Sequence, residues 1–321
     1  MYLVWKLQQV HLDINAFAKE MTLIAQNYDN VVLLSADIGN RLFNDYKKMY
    51  PDRFYNCGVA EANMTGMAAG MALSGLRPIT YTITSFNTYR CFEQIRVDIC
   101  YHNLPVVIVG VGSGLSYASL GATHHSCEDI AIMRTLPNMT IVCPGDALEV
   151  RQALRAAINY NAPVYIRIGK KNEPVVHTHP PEFSIGKGLI LKEGSDVCFL
   201  STGTMLPIAM EAATSLDKNG ISTQVVSFHT VKPLDTDLLE SVSNSFSFIA
   251  TIEEHSIIGG LGSSISEFLM KQRRNNTPLL HCFGTPDFFL SKSQNQDRAR
   301  KKAGLIPTNI IQTTIDLYSS L

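Results

Sequence analysis

Apolar residues in this chain fall into short unbroken runs, separated by stretches in which they recur every three or four positions. VVLLS (31–35), FYNC (54–57), RPITYTIT (77–84), LPVVIVGVG (104–112), MTIVC (139–143) and APVYIRI (162–168) are such runs, bounded by polar turns. That is the pattern of strands buried on both faces. Between them, 13–26 carries Phe17, Met21 and Ile24 on one helical face, with Asp13 placed to cap it. Residues 41–50, 87–100, 129–136 and 147–159 also read as helices, the first ending before Pro51. Strands alternating with helices imply a parallel sheet covered on both faces.

The alternation stops at GKKNEPVVHTHPPEFSIG (169–186), where prolines and polar residues mark a linker. It resumes with strands at 196–202, 222–228, 246–254 and 278–283 and helices at 205–218, 235–243 and 260–273. The rest reads as mainly helical, and no short-period repeat is present. The expected fold is therefore α/β, with two three-layer domains at 1–175 and 187–321 joined by a linker at 176–186.

Composition narrows the function without naming it. The 321 residues suffice for two domains of ordinary size. With 27 basic and 28 acidic residues the formal charge is −1, which argues against a nucleic-acid or membrane-surface protein. The 7 cysteines are scattered, with no CxxC pair and no Cys/His metal spacing, so free thiols in a reducing cytoplasm are expected. MYLVWKLQQV has too short an apolar run for a signal peptide, and nothing approaches the roughly 20 apolar residues of a membrane span.

Five places could carry chemistry. NCGVAEANMTGMAAGMALSG (56–75) is a helix of small residues with one ionisable side chain, Glu61, at its start. The small residues predict close packing against another element. Glu61 either caps the helix at its positive end or answers a cation or ligand. In SFNTYRCFEQ, Phe86, Tyr89 and Phe92 are spaced three apart, either a core stripe or a cup for a flat heteroaromatic ring. SYASLGATHHSCED (116–129) carries adjacent His124 and His125 after an apolar strand. That is where open α/β sheets bind ligands, though an exposed loop would read the same. Arg167 and Lys170 follow a strand and either bind an anion or are solvated. EEHSIIGGLGSSISEFL (253–269) opens a helix with G-G-x-G, as a nucleotide-binding loop or a tight turn would.

Taken together and in this order, the motifs resemble the thiamine diphosphate-dependent transketolase family. The resemblance covers nearly the whole chain. It corresponds to the C-terminal two-thirds of a full-length transketolase, the pyrimidine-binding domain followed by the C-terminal domain. GVAEANMTGMAAGMALSG is similar to the segment holding the family's catalytic glutamate, which implies that role for Glu61 as a ligand of the aminopyrimidine ring. Phe86, Tyr89 and Phe92 are similar to the aromatic series lining that ring's pocket. GATHH resembles the family's G-P-T-H-Q, which implies an active-site and substrate role for His124, with His125 beside it. PVYIRIGK resembles the segment whose basic residue binds substrate phosphate, and Lys170 falls there. TVKPLD (230–235) and EEHSIIGGLGSS look like C-terminal-domain signatures.

The family binds the cofactor's diphosphate and Mg2+ through a further domain marked by G-D-G, a motif this sequence does not contain. The resemblance therefore implies a split transketolase. A partner chain would hold the diphosphate and magnesium, the active site would lie between subunits, and self-association would give a two-fold symmetric heterotetramer. The implied reaction is transfer of a two-carbon ketol unit between sugars or sugar phosphates. Full-length transketolases carry a histidine and an aspartate where Gly112 and Leu120 fall, and neither of these offers a side-chain hydrogen bond. Ser113 lies near the place of an arginine in deoxyxylulose phosphate synthases. The alternatives are a pyruvate-decarboxylating synthase-like or dehydrogenase beta-type subunit, or a non-catalytic subunit on the same fold.

Overall fold

The computed structural model describes residues 13–39, 41–170, 173–273 and 275–321. The N-terminal run expected to be too short for a leader, and the Asp13 side chain expected to cap a helix, lie outside the described residues. Strands β1 (Val31–Ser35), β2 (Phe54–Asn56), β3 (Arg77–Ile83), β4 (Val107–Val111), β5 (Thr140–Val142) and β6 (Val164–Ile168) pair in parallel in the order β5-β6-β4-β3-β1-β2. Every residue of β1, β4, β5 and β6 is buried, as expected of runs with helices on both sides.

One face of this sheet is covered by α1 (Asp13–Asn27), α2 (Asn44–Met49) and a helix near the end of the first half, Ala147–Ile158. Phe17, Met21, Tyr46, Val150 and Leu154 pack there against Val31, Leu33 and Val109. The other face is covered by α3 (Glu61–Leu73), α4 (Thr84–Thr88), α5 (Phe92–Gln94) with the π-helical turn Ile95–Tyr101, and α6 (Asp129–Arg134). Met64, Ala68, Ile95, Ile99, Ile130 and Met133 fill that core with Leu34 and Ile108. Burying each of the Met, Ile and Leu side chains stabilises the fold by roughly 2 kcal/mol. The Ala147–Ile158 helix is α7.

In the second half, β7 (Leu189–Lys192), β8 (Val197–Ser201), β9 (Thr223–Ser227), β11 (Phe248–Ser256) and β12 (Leu279–Thr285) form a sheet in the order β12-β11-β8-β9-β7. It is parallel except for β7, which runs antiparallel to β9. Helices α8 (Leu206–Lys218), α9 (Thr236–Ser245), α10 (Leu261–Gln272), α11 (Gln296–Lys302) and α12 (Pro307–Tyr318) complete the layers.

Four features depart from the sequence expectation. Strand β10 (Thr230–Lys232) comes from the second half yet pairs antiparallel with β5 as the edge of the first sheet. Three residues before a proline show no period of their own, and docking between the halves places them. Cys198, Leu200, Val226 and Leu261 accordingly share one core with Met64 and Ile108. Strand β7 is half-buried and was also unpredicted, since an edge strand needs only one apolar face. The helix expected at 87–100 instead starts at Thr84 and breaks after Thr88. Thr88 Oγ1 donates to the Thr84 carbonyl at 2.7 Å and Asn87 donates into the sheet at the Val109 carbonyl, which ties this turn down. Finally, α3 is buried on one side only. Met64, Thr65, Ala68 and Ala69 pack inward, while Gly66 and Gly70 face open space.

Candidate active site

The turn between β2 and α3 is set by Gly58, whose φ of +68° is reserved in practice for glycine. Its N–H donates to Asn56 Oδ1 at 3.0 Å, and Ala60 N donates back to the Gly58 carbonyl at 2.9 Å. Glu61 thus enters the first turn of α3, where a negative charge is favoured. The residue is only 3% exposed. A carboxylate so buried requires a partner. Among the described residues its hydrogen-bond donor on the side chain is Arg90, whose guanidinium reaches Oε2 at 3.0 Å. The Arg90 side chain is 50% exposed and lies 4.4 Å over the Phe86 ring. The break after α4 delivers Arg90 to this position, and the sequence reading did not single it out.

Phe86, Tyr89 and Phe92 were expected to share a face, and the structure separates them. Phe86 carries Arg90 on its ring and meets the His124 imidazole with centroids 5.1 Å apart. The Tyr89 hydroxyl donates to Glu128 Oε2 at 2.7 Å, and Phe92 packs against the core beneath α3. Spacing of three aligns side chains only on an unbroken helix, and here the helix is broken between Thr88 and Phe92.

After β4 the chain enters a loop pinned to itself by paired hydrogen bonds between Gly114 and Ser126. Gly112 has φ +73°, and a Cβ there would come within 2.0 Å of the edge of the Tyr117 ring. No side chain fits at that position, and Tyr117 fills the space instead. Tyr117 then meets His124 at 5.8 Å between centroids, and the Lys170 ammonium sits 4.2 Å over the Tyr117 ring. Thr123 Oγ1 lies 2.9 Å from His124 Nδ1. Burial, then the charges of His125 and Lys170, hold the His124 pKa below its ordinary value, so the ring is neutral at neutral pH.

His125 does not share this place. The amides of His124 and His125 both donate to the Gly121 carbonyl, and neighbours on one turn point apart. The His125 ring turns inward, 7% exposed, toward the Ala118 carbonyl and the side of Glu128 and Glu254. Leu120 is 42% exposed, and Ser113 is buried, its carbonyl accepting from Ser116 Oγ at 2.7 Å.

Arg167 and Lys170 also part company. Arg167 is 2% exposed; its Nε bonds Asp129 Oδ2 at 2.7 Å, while another guanidinium nitrogen bonds the carbonyls of Ser126 and Glu254. The Tyr165 hydroxyl joins the same Asp129 oxygen at 2.5 Å. Arg167 therefore joins β6 to the loop and the second half and is not open to an anion. In the G-G-x-G stretch the amides of Leu261 and Gly262 donate to the buried Glu253 carboxylate at 2.8 Å each, so α10 carries its own anion at its start. Glu254 accepts from Leu115 N and is paired with Arg300 and Gln296, tying the second half to the loop.

The result is one line of touching groups, Glu61–Arg90–Phe86–His124–Tyr117–Lys170, running from the start of α3 to the end of β6. Beyond Lys170 a cleft of about 740 Å³ continues between the halves, reaching Ser116, Thr204 and Arg300. Among the described residues no group of three or more His, Cys, Asp or Glu is arranged to hold a metal ion.

Comparison with known proteins finds matches to both halves of the chain. Residues 14–175 match the transketolase pyrimidine-binding domain family, and residues 186–310 match the transketolase C-terminal domain family. One subunit of the apulose-4-phosphate transketolase of Phocaeicola vulgatus is 34% identical, over 85% of this chain and 86% of its own length. The 6-deoxy-6-sulfo-D-fructose transketolase subunit SqwH of a Clostridium species is 36% identical, over 90% of this chain and 88% of its own. A solved structure described as a split gene transketolase in an inactive beta4 tetramer superposes with a TM-score of 0.87 at 34% identity, covering 96% of this chain and 98% of that one.

Proposed function

The chain belongs to the transketolase family, and from that premise we propose that it is the C-terminal subunit of a split enzyme that transfers a two-carbon ketol unit between sugars or sugar phosphates. The observation that carries this reading is the line from buried Glu61 through Phe86 and His124 to Lys170. It joins a carboxylate, an aromatic face, a neutral imidazole and a cation along one surface.

The residues present fit the aminopyrimidine end of thiamine diphosphate. Glu61 is a buried carboxylate with one side-chain donor among the described residues, and that donor is half-exposed. The Phe86 ring beside it offers an aromatic face. When bound, thiamine diphosphate supplies the nucleophile and the electron sink for ketol transfer. Glu61 accepts a hydrogen bond from the ring in a place water reaches poorly, where a charge-assisted bond is strong. Phe86 orients the ring. His124, held neutral, can both accept and donate a hydrogen bond at a substrate oxygen. Lys170, beyond Tyr117, holds the phosphate end of a sugar phosphate as a point charge.

We place the diphosphate and Mg2+ on a partner chain carrying G-D-G, a motif missing from these 321 residues. The relatives' designation as subunits and the open face of α3 support assembly with such a partner and with a second copy. The described cysteines are free thiols, which supports work in a reducing cytoplasm. No described helix is long and apolar enough to cross a membrane.

The test is a ketol-transfer assay on this chain mixed with the G-D-G chain, with thiamine diphosphate, Mg2+ and a panel of ketose donors and aldose acceptors. Turnover only in the mixture, lost in Glu61→Gln, is expected. Turnover by this chain alone would contradict the division of the site.

A further inference from the structure

The cofactor end of the site already holds a flat, stacked hydrogen-bond donor that belongs to the protein. Arg90 donates to Glu61 Oε2 at 3.0 Å and covers the Phe86 ring at 4.4 Å. Those are the two contacts that an aminopyrimidine would make there. A guanidinium is planar, delocalised and suited to stacking on an aromatic face, so it reproduces both.

We propose that Arg90 is a latch on the cofactor site: its guanidinium occupies the place of the heteroaromatic ring between Glu61 and Phe86 and swings out when that ring binds. This rests on the function proposed above.

Burial makes the exchange one-sided. Glu61 is 3% exposed and cannot turn to water, whereas the Arg90 side chain is 50% exposed and can. Before cofactor arrives, the latch spares the fold an unpaired buried carboxylate. After the ring binds, Glu61 has a new donor and Arg90 is hydrated. The same pair read as a purely structural ion pair has the opposite consequence, because a Glu61 deprived of its partner would then be held less well for the ring. The sign of the effect of removing Arg90 separates the two.

The experiment is calorimetric titration of thiamine diphosphate with Mg2+ into the complex of this chain with its G-D-G partner, for wild type, Arg90→Met and Arg90→Lys. The latch competes through one half-exposed ion pair and one stacking contact, so Arg90→Met should bind about tenfold more tightly. Arg90→Lys keeps the charge without the flat face and should fall between. Without cofactor the Arg90→Met complex should melt below wild type, with the difference closing at saturating cofactor. Binding by Arg90→Met that equals or is weaker than wild type would overturn the latch alone. Failure of the wild-type complex to bind would overturn the proposed function and the latch with it.

Discussion

The Phe86 ring stands tilted at 65° to the His124 imidazole with centroids 5.1 Å apart, and this contact joins the Glu61 end of the site to the Lys170 end. Arg90 lies on the same ring, so in the function proposed above Phe86 is the wall between the cofactor and substrate regions. An aromatic contact of this kind is worth roughly 1 kcal/mol beyond its area, or several-fold in affinity. Phe86→Ala should therefore weaken thiamine diphosphate binding by about fivefold to tenfold. It should also raise KM for the sugar, because His124 loses its support. Phe86→Leu, which keeps the volume, should restore the KM but not the cofactor affinity. Titration calorimetry and steady-state kinetics on the assembled enzyme measure both.

The His124 environment sets a pH limit. Burial and the neighbouring charges of His125 and Lys170 hold its pKa below the usual histidine value. With the neutral ring as the working form of the proposed function, the acidic limb of kcat/KM should lie below about pH 6.5. Removing a nearby positive charge makes the imidazolium easier to form. Lys170→Gln should therefore move that limb to higher pH, and His124→Asn should abolish it. A pH–rate profile of the three proteins measures the shift.

Lys170 sits over Tyr117 at the end of β6, beside the cleft between the halves. A charge-assisted contact to a phosphate contributes about 1.5–3 kcal/mol, or roughly 10- to 100-fold. Lys170→Gln should raise KM for a phosphorylated acceptor by that factor and leave its unphosphorylated counterpart within about twofold. Equal effects on both substrates would place the phosphate elsewhere.

Much of this arrangement was readable from the chain. The two sets of parallel strands announce themselves as runs buried on both faces, and Glu61 stands out as the lone charge leading a helix of Ala, Met and Gly. Arg90 did not stand out, because a charged residue within the helix expected at 87–100 ordinarily reads as part of a solvated face. Its contact depends on the helix break between Thr88 and Phe92, which residue spacing does not reveal. Tyr117 was hidden for a related reason, since only the fold shows that its ring takes the space denied to Gly112. Arg167 offered a usable signal: an arginine inside a strand buried on both faces has to be paired, and Asp129 is that pair. Strand β10 offered none, because its partner lies on the other half of the molecule.

The junction between the halves carries its own pH dependence. Glu149 is fully buried, with Oε2 accepting from Gly145 N at 2.7 Å and Oε1 3.4 Å from His177 Nε2. Burial pushes its carboxyl up to about 7. Burial also disfavours the charge of His177, but its hydrogen bond to Asp146 and the charges of Asp146 and Glu149 outweigh this and raise its pKa. A raised folded-state pKa gives stability that is complete below the unfolded value, 4.5 for Glu149, and is lost as pH rises through about 7. Wild type should therefore lose on the order of 2–3 kcal/mol between pH 5 and pH 8 that Glu149→Gln retains. Urea unfolding of both proteins at the two pH values checks this. Parallel losses would mean that Glu149 does not change its protonation on folding.

The central claim is that this chain supplies the aminopyrimidine half of a divided thiamine diphosphate site through Glu61. Its most direct test is calorimetric titration of thiamine diphosphate and Mg2+ into three samples: this chain alone, its mixture with the G-D-G chain, and the same mixture with Glu61→Ala. Tight binding is expected in the wild-type mixture only, weakened at least about tenfold by the substitution. Tight binding by the isolated chain, or a mixture indifferent to Glu61→Ala, would contradict it.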